Sequence, residues 1–401
     1  MKKTILLIGA LSTLAFGLHS CKKSKSSSKV INISGLFSLT GNWSTLGINS
    51  KAAIQFAADD INTYLNNKNA GFTIAVSVYD TKLASDSAQL GFVKATSAGT
   101  HFIIGPQSSA ELAAIAPLAD AGQMIVVSQG STAGSLAIAG DGVFRFCPPD
   151  KVEGAAIAAT IYNSGIKGLV TLARNDAGNL GLQTATGSAF TAKGGAVTAL
   201  PAYATTPTDF TSTIAALKTK VSQYITTYGI SNTAIYLASF DEGADLFVKA
   251  SSDSMLSQVK WYGGDGIALS AILLGNTTAA NFASRTSFFA PSFGLPVSLQ
   301  SKSGPIADRI TASTGIAADA FALAAYDAMW VIAKTLETTY GATDNYQQLK
   351  TVFAQQSNTY TGVTGPTALD SFGDRASGSF DYWGITKNGT TYKWTVVGQS
   401  E

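Results

Sequence analysis

Beyond residue 29 the chain carries one imidazole, His101, and one thiol, Cys147. Zinc sites built from several His or Cys have no raw material, and a Cys/His dyad has only that one pair to draw on. Cys147 follows Phe144-Arg145-Phe146 and reads as a small buried hydrophobe. The remaining chemistry rests on hydroxyls and carboxylates. Ser108-Ser109 and Gly130-Ser131-Thr132 offer hydroxyls beside the start of apolar segments. Hydroxyls and free backbone N–H groups at a helix start form an anion site. Asp176, Asp241, Glu242 and Asp265 offer carboxylates in the second half of the chain. Paired carboxylates serve glycoside hydrolysis, which leaves an enzyme reading formally open. No Gly-x-Ser-x-Gly nucleophile turn follows a strand.

The elements that must position these groups alternate. Apolar positions alternate over 30–37, a helical period runs over 47–65, alternation returns at 73–79, and 84–95 is helical. Short apolar runs at 102–105 and 124–127 flank a helical stretch at 110–121. A second round follows, with helices at 152–162, 180–192, 210–221 and 243–254 and strands at 168–173, 196–202, 233–238 and 259–263. A strand near 287–290, a long helix at 317–336 and a closing pair at 379–386 and 391–397 complete the pattern. Alternating strands and helices with short loops predict an α/β fold of two doubly wound lobes with parallel sheets. Ligands of such sheets bind beyond the carboxyl ends of the strands, so the loops to search are 40–47, 105–109, 128–132, 174–181, 239–242 and 263–266. His101 opens its strand at the other end.

Composition narrows the class further. Only 13% of residues are charged, 46% are hydrophobic and 39 are Gly, an uncharged but globular composition. The net charge of +2 is carried by the first 29 residues, which hold six Lys and no acid, while from Val30 onward 21 basic residues face 25 acidic ones. A nucleic-acid binder needs a basic stripe on its folded body, so that class is excluded. Residues 1–20 read as a secretory signal, with Lys2 and Lys3 before a 14-residue apolar run ending in Leu18-His19-Ser20-Cys21. That ending resembles the lipobox of bacterial lipoproteins, which implies acylation of Cys21. Residues 21–29 then form a lipidated Cys and a Lys/Ser tether. The expectation is an extracytoplasmic body anchored by lipid to a bacterial membrane, in the periplasm or at the cell surface.

Several motifs in the predicted post-strand loops and beside them resemble the leucine/isoleucine/valine-binding proteins, type I periplasmic receptors of amino-acid ABC importers. They are Ser38-Leu39-Thr40-Gly41 with Gly47, Asp59-Asp60-Ile61-Asn62, Ile103-Ile104-Gly105-Pro106 with Ser108-Ser109, and Val127-Ser128-Gln129-Gly130-Ser131-Thr132. Phe144-Arg145 leading to Asp150, Asp209-Phe210-Thr211, and Gly362 with Gly365-Pro366 continue the series in order. The resemblance implies two Rossmann-like lobes joined by three hinge crossings near 149, 291 and 369. Lobe 1 is then 30–149 plus 292–368, and lobe 2 is 150–291 plus 369–401.

On this resemblance Ser109 binds a ligand carboxylate, aided by Ser108. Gly130 gives a carbonyl to the ammonium, and Thr132 a hydroxyl and N–H to the carboxylate. Asp265 is the ammonium partner from lobe 2, and Asp150 is the hinge-side aspartate. Ser109 and Thr132 also suit helix N-caps, as do Asp150 after Pro148-Pro149 and Asp209, and Asp265 between two glycines suits a turn. Leu46 replaces the family aromatic before Gly47, with Trp43 nearby as an alternative ligand cover. Leu180 and Ser239-Phe240 replace second-lobe tyrosines, and Phe240 either covers ligand or lines the core of its lobe. The family's lobe-one disulfide has no counterpart.

The expected function is capture of a small amino acid, or a related carboxylate or amide, by a monomer that delivers it to an ABC permease without cofactor, metal or catalysis. A sensing subunit not coupled to transport, and a surface hydrolase, are the alternatives.

Overall fold

The computed structural model describes residues 29–206, 209–295 and 297–400. The expected signal and Cys21 anchor lie outside the described residues. The first sheet is built from β1 (Lys29–Phe37), followed by α1 (Ser44–Asn67), β2 (Phe72–Asp80), α2 (Ser85–Ser97), β3 (Phe102–Ile104), α3 (Ser109–Ala121), β4 (Ile125–Ser128) and β5 (Val143–Arg145). The chain then enters α4 (Asp150–Asn163), β6 (Gly168–Ala173), α5 (Ala177–Ala192), β7 (Ala196–Ala199), α6 (Thr211–Tyr228), β8 (Thr233–Ala238), α7 (Gly243–Ala250) and β9 (Lys260–Gly263). After α8 (Ala271–Gly275), α9 (Thr277–Arg285) and β10 (Phe289–Phe293) come α10 (Gln300–Thr314), α11 (Ala320–Thr338) and α12 (Tyr346–Thr359). The short pair β11 (Thr361–Gly362) and β12 (Gly365–Pro366) precedes the hairpin β13 (Phe380–Asn388) and β14 (Thr391–Gln399). Among the described residues no helix is long and apolar enough to cross a membrane.

The first sheet has the order β2-β1-β3-β4-β5 and is parallel throughout. The second has the order β14-β13-β10-β9-β8-β6-β7, parallel except where β13 and β14 join it. β3, β4, β6 and β8 are buried along their whole length, as strands covered on both faces must be. The strand order reverses between β1 and β3 in one sheet and between β6 and β8 in the other. Loops diverge at such a switch point and leave a crevice there.

Helices α1 and α11 cover one face of the first sheet, with Ile54, Ile61, Met329 and Ile332 in that core. Leu112, Ile115 and Phe92 from α2 and α3 cover the other. The apolar, Ala-rich α11 is buried nearly all round, so it cannot sit at a surface and returns to complete the first lobe. α10 and α12, which periodicity does not reveal, are mostly polar, and α10 carries Gly304 and Pro305 near its start. Their few buried residues, such as Ile310 and Phe353, dock on the core that α11 builds.

Three segments cross between the lobes, and buried ionic groups fix two of them. Arg145, 1% exposed, forms a two-pronged ion pair with Asp374 and donates to the Ala133 carbonyl at 2.6 Å. This ties β5 to the segment after β12, and Arg145 and Asp374 also share a parallel β-bridge. Asp327 on α11 accepts hydrogen bonds from the Val363 and Thr364 amides, at 2.8 and 2.9 Å, and from the Thr364 hydroxyl. A Cβ at Gly362 would collide with the Asp327 carboxylate, so glycine is required there. Removing one partner of a buried ion pair leaves the other charge uncompensated. Asp374→Ala should therefore lose about 3–5 kcal/mol of unfolding free energy in urea denaturation, while Asp381→Ala, at a half-buried strand position without an ion pair, should lose no more than about 1 kcal/mol.

Candidate functional site

The two switch points face each other across the crevice. From the first lobe, the turn after β1 brings Trp43, held in the left-handed region at φ 63°, ψ 20°. That conformation is unfavourable for a bulky residue and persists only where surroundings enforce it. Gln107 enforces it by donating to the Trp43 carbonyl at 2.8 Å while accepting from the Ser38 amide. A Cβ at Gly47 would collide with the Ser38 carbonyl, so α1 can approach β1 this closely only with glycine there. From the second lobe, the turn after β8 brings Phe240. The two rings stack across the crevice with centroids 4.4 Å apart and planes 25° from parallel. Phe240 thus belongs to an interlobe cluster with Trp43, Leu46, Cys147 and Phe321, not to the core of its own lobe.

Behind the stack, Ser109, Gly130 and Thr132 face Gly178, Asn179 and Asp265 around a cavity of about 10 Å³, room for about one water. Six sequence-selected residues, Trp43, Ser109, Gly130, Thr132, Phe240 and Asp265, meet at this point, and Ser108 lies at its edge. The cavity opens past Ser108 and Phe240 into a mouth of about 440 Å³ reached by Asn42, Lys82, Arg174 and Asp176.

None of the four expected caps holds an N-cap position, and Thr132 precedes Ala133, the residue that stands before the short helical turn Gly134–Leu136. Ser108, not Ser109, caps α3, in a capping box with Glu111. This leaves the Ser109 hydroxyl to accept from the Ala133 amide at 3.2 Å and to bond Ser131 at 3.0 Å, on the wall of the cavity. Asp150 is not an N-cap either. Pro149 holds that position, α4 begins at Asp150, and neither oxygen of its buried carboxylate meets hydrogen-bond geometry. Asp209 stands one residue before Phe210, the N-cap of α6, and accepts from the Thr211 amide and hydroxyl on the surface. Asp176 caps α5 through the Asn179 amide at 3.0 Å and pairs with Arg174, which also reaches Glu242.

Electrostatically the site is an acid cluster short of cations. Burial pushes the Asp150 carboxyl up to about 7, opposed only in part by Thr132 and Arg145. Burial, then the charge of Asp150, lifts Asp265 to about 8. Glu153, fully buried one turn after Asp150, is raised by burial first and by Asp265 and Asp150 next. The (i, i+3) spacing of Asp150 and Glu153 on one helix was the available signal for Glu153, which the motif search passes over. Gly178, Asn179 and Leu182 were also missed, since nothing in their type marks them as lining residues. Burial pushes the Cys147 thiol far up, and its S–H donates to the Ser131 carbonyl at 3.3 Å, the behaviour of an inert buried thiol. Among the described residues no group of acids, His and Cys is arranged to hold a metal ion.

These carboxyls carry a pH signature. A carboxyl with a raised native value holds a proton that the unfolded chain releases, so its stabilising contribution is present below the unfolded value of about 4 and is lost as pH rises through the native one. Asp150 at about 7 and Asp265 at about 8 set the window. Unfolding free energy should fall between about pH 5 and 8. Asp150→Asn should flatten part of that fall and gain on the order of 2 kcal/mol at pH 8, measured by urea denaturation across pH.

The comparisons agree with this geometry. An uncharacterized protein of Methanocaldococcus jannaschii is 28% identical over 395 residues, covering 94% of this chain and 91% of its own. Among solved structures, the branched-chain amino acid transporter substrate-binding protein of Streptococcus pneumoniae, in complex with isoleucine, superposes with a TM-score of 0.72 at 20% identity, covering 92% of this chain and 99% of its own. A solute-binding protein of an ABC transporter from R. palustris, in complex with benzoate, gives 0.71 at 15% identity, with 92% and 96% coverage. Two lobes with opposed switch points are the type I periplasmic binding protein fold. The family model for the receptor family ligand binding region matches residues 49–388, most of the chain, and the chain belongs to that family.

Proposed function

We propose that this protein is a lipid-anchored extracytoplasmic solute receptor. In this reading it captures an amino acid, branched-chain or of another class, between its lobes and delivers it to an ABC permease. One observation carries this reading: Ser109 and Thr132 of one lobe and Asp265 of the other converge on a single cavity, and among the described residues no Lys or Arg forms an ion pair with Asp265. A carboxylate bound by the hydroxyls and an ammonium bound by Asp265 would satisfy both lobes at once. Each lobe then holds half of the contacts, so the ligand favours closure by its differential affinity for the closed state. The cavity is too small for an amino acid unless the Trp43–Phe240 stack parts, so entry requires opening and capture ends with the aromatics covering the ligand. Delivery to a permease, as against sensing, is supported by the transporter proteins to which the fold is similar.

The test is a melting-temperature screen of residues 29–401 against amino acids, amides and carboxylates. A ligand at a hundred times its dissociation constant adds about 2.7 kcal/mol to the native state. For the amino acid that shifts the wild type, Asp265→Ala should weaken binding by about a hundredfold or more, and Ser109→Ala by about tenfold. Shifts with carboxylates alone, unaffected by Asp265→Ala, would exclude the ammonium role. For the anchor, full-length protein expressed in a bacterium should fractionate with membranes, and Cys21→Ser should release it to the soluble fraction. Retention of the Cys21→Ser protein on membranes would exclude lipidation at that residue.

A further inference from the structure

Glu153 lies behind Asp265, 0% exposed. The Asp265 amide donates to its Oε1 at 3.1 Å, while no protein N–H reaches its Oε2 or Asp265 Oδ2. Two carboxylates facing each other have only acceptors to offer, and one proton between them supplies the missing donor. The groups around the pair add no cation. On α4 stand Asp150 and Glu153 itself, β8 gives Tyr236, α5 gives Thr186, and its cap is Asp176. The nearest guanidiniums are already matched, Arg145 by Asp374 and Arg174 by Asp176 and Glu242.

We propose that Glu153 is a positioning residue that remains an uncharged carboxylic acid, accepting from the Asp265 amide and donating its proton to the Asp265 carboxylate, so that Asp265 alone presents the negative charge to a ligand ammonium. The proposal rests on the ammonium role assigned to Asp265 above. Burial and the two neighbouring acids favour the protonated form of Glu153, and an acid kept neutral by an apolar site is a known hydrogen-bond donor at neutral pH. The pair then carries one negative charge when Asp265 ionises. When an ammonium arrives below the Asp265 value of about 8, Asp265 releases one proton to solvent and Glu153 keeps its own.

The test compares E153Q, which keeps both an acceptor and a donor, with E153L, which keeps neither. Carbon-13 carboxyl NMR of the empty protein should show the Glu153 carboxyl in its acid form through the pH range in which Asp265 titrates. A Glu153 carboxyl that ionises near the ordinary value of about 4.3 overturns the proposal, whatever the ligand proves to be. With isoleucine as probe, E153Q should bind within about threefold of wild type with the same pH profile. E153L should bind about ten- to a hundredfold more weakly, the worth of one hydrogen bond to a charged group. Equal losses in E153Q and E153L, or no loss in E153L, also overturn it. If wild type does not bind isoleucine while the NMR result holds, the choice of amino acid fails and the role of Glu153 stands.

Discussion

Taking a carboxylate out of water without a partner is among the costliest things a fold can do, and this one does it where its lobes meet. Asp150, Glu153 and Asp265 are buried together, and the guanidiniums within reach are committed elsewhere. The cost is moderated by protonation, so the cluster has nearly no net charge in acid and becomes increasingly anionic as pH rises. A cationic group entering the cleft relieves that cost. In the function proposed above, stability of the empty body and affinity for a ligand ammonium are therefore two readings of the same electrostatics.

The aromatic stack solves a different problem. Two lobes that close on a polar cavity need apolar area at the rim to exclude water, and Trp43 and Phe240 supply it from opposite sides. Because each ring belongs to a different lobe, the contact exists only in the closed arrangement. The Ala271 amide, donating to the Thr45 hydroxyl at 3.3 Å, adds a second link of this kind. In the proposed capture cycle these contacts give closure some intrinsic stability, and a ligand shifts the equilibrium only by the contacts that it adds beyond these.

At the hinge the demand is for rigidity. The crossing segments converge beside Arg145, Asp374, Asp327 and Arg375, all buried and all hydrogen-bonded. Buried networks of this kind are strong when fully satisfied and costly when any member is lost. They hold the crossings in register.

Much of this was legible in the residues. Alternation in β1 and β2, the apolar runs of β3, β4 and β8, and the helical period of α1 and α11 follow from the local need to bury one face or two. That placed the post-strand loops, and with them Trp43, Ser109, Gly130, Thr132, Phe240 and Asp265. Polar α10 and α12 were not legible, since their place depends on a core made by distant segments. The capping roles of Ser108 and Asp150 were misread because a Ser-Ser pair or a Pro-Pro-Asp run fits a cap at either of two neighbouring positions, and only backbone geometry chooses. The sequence alone determined which residue types stand at the strand ends, because strand and helix periodicities are local. Tertiary structure alone decided that Glu153 faces Asp265, that Trp43 meets Phe240 and that Arg145 is neutralised by Asp374. Those are contacts between segments more than a hundred residues apart, and charge and burial act through space rather than along the chain.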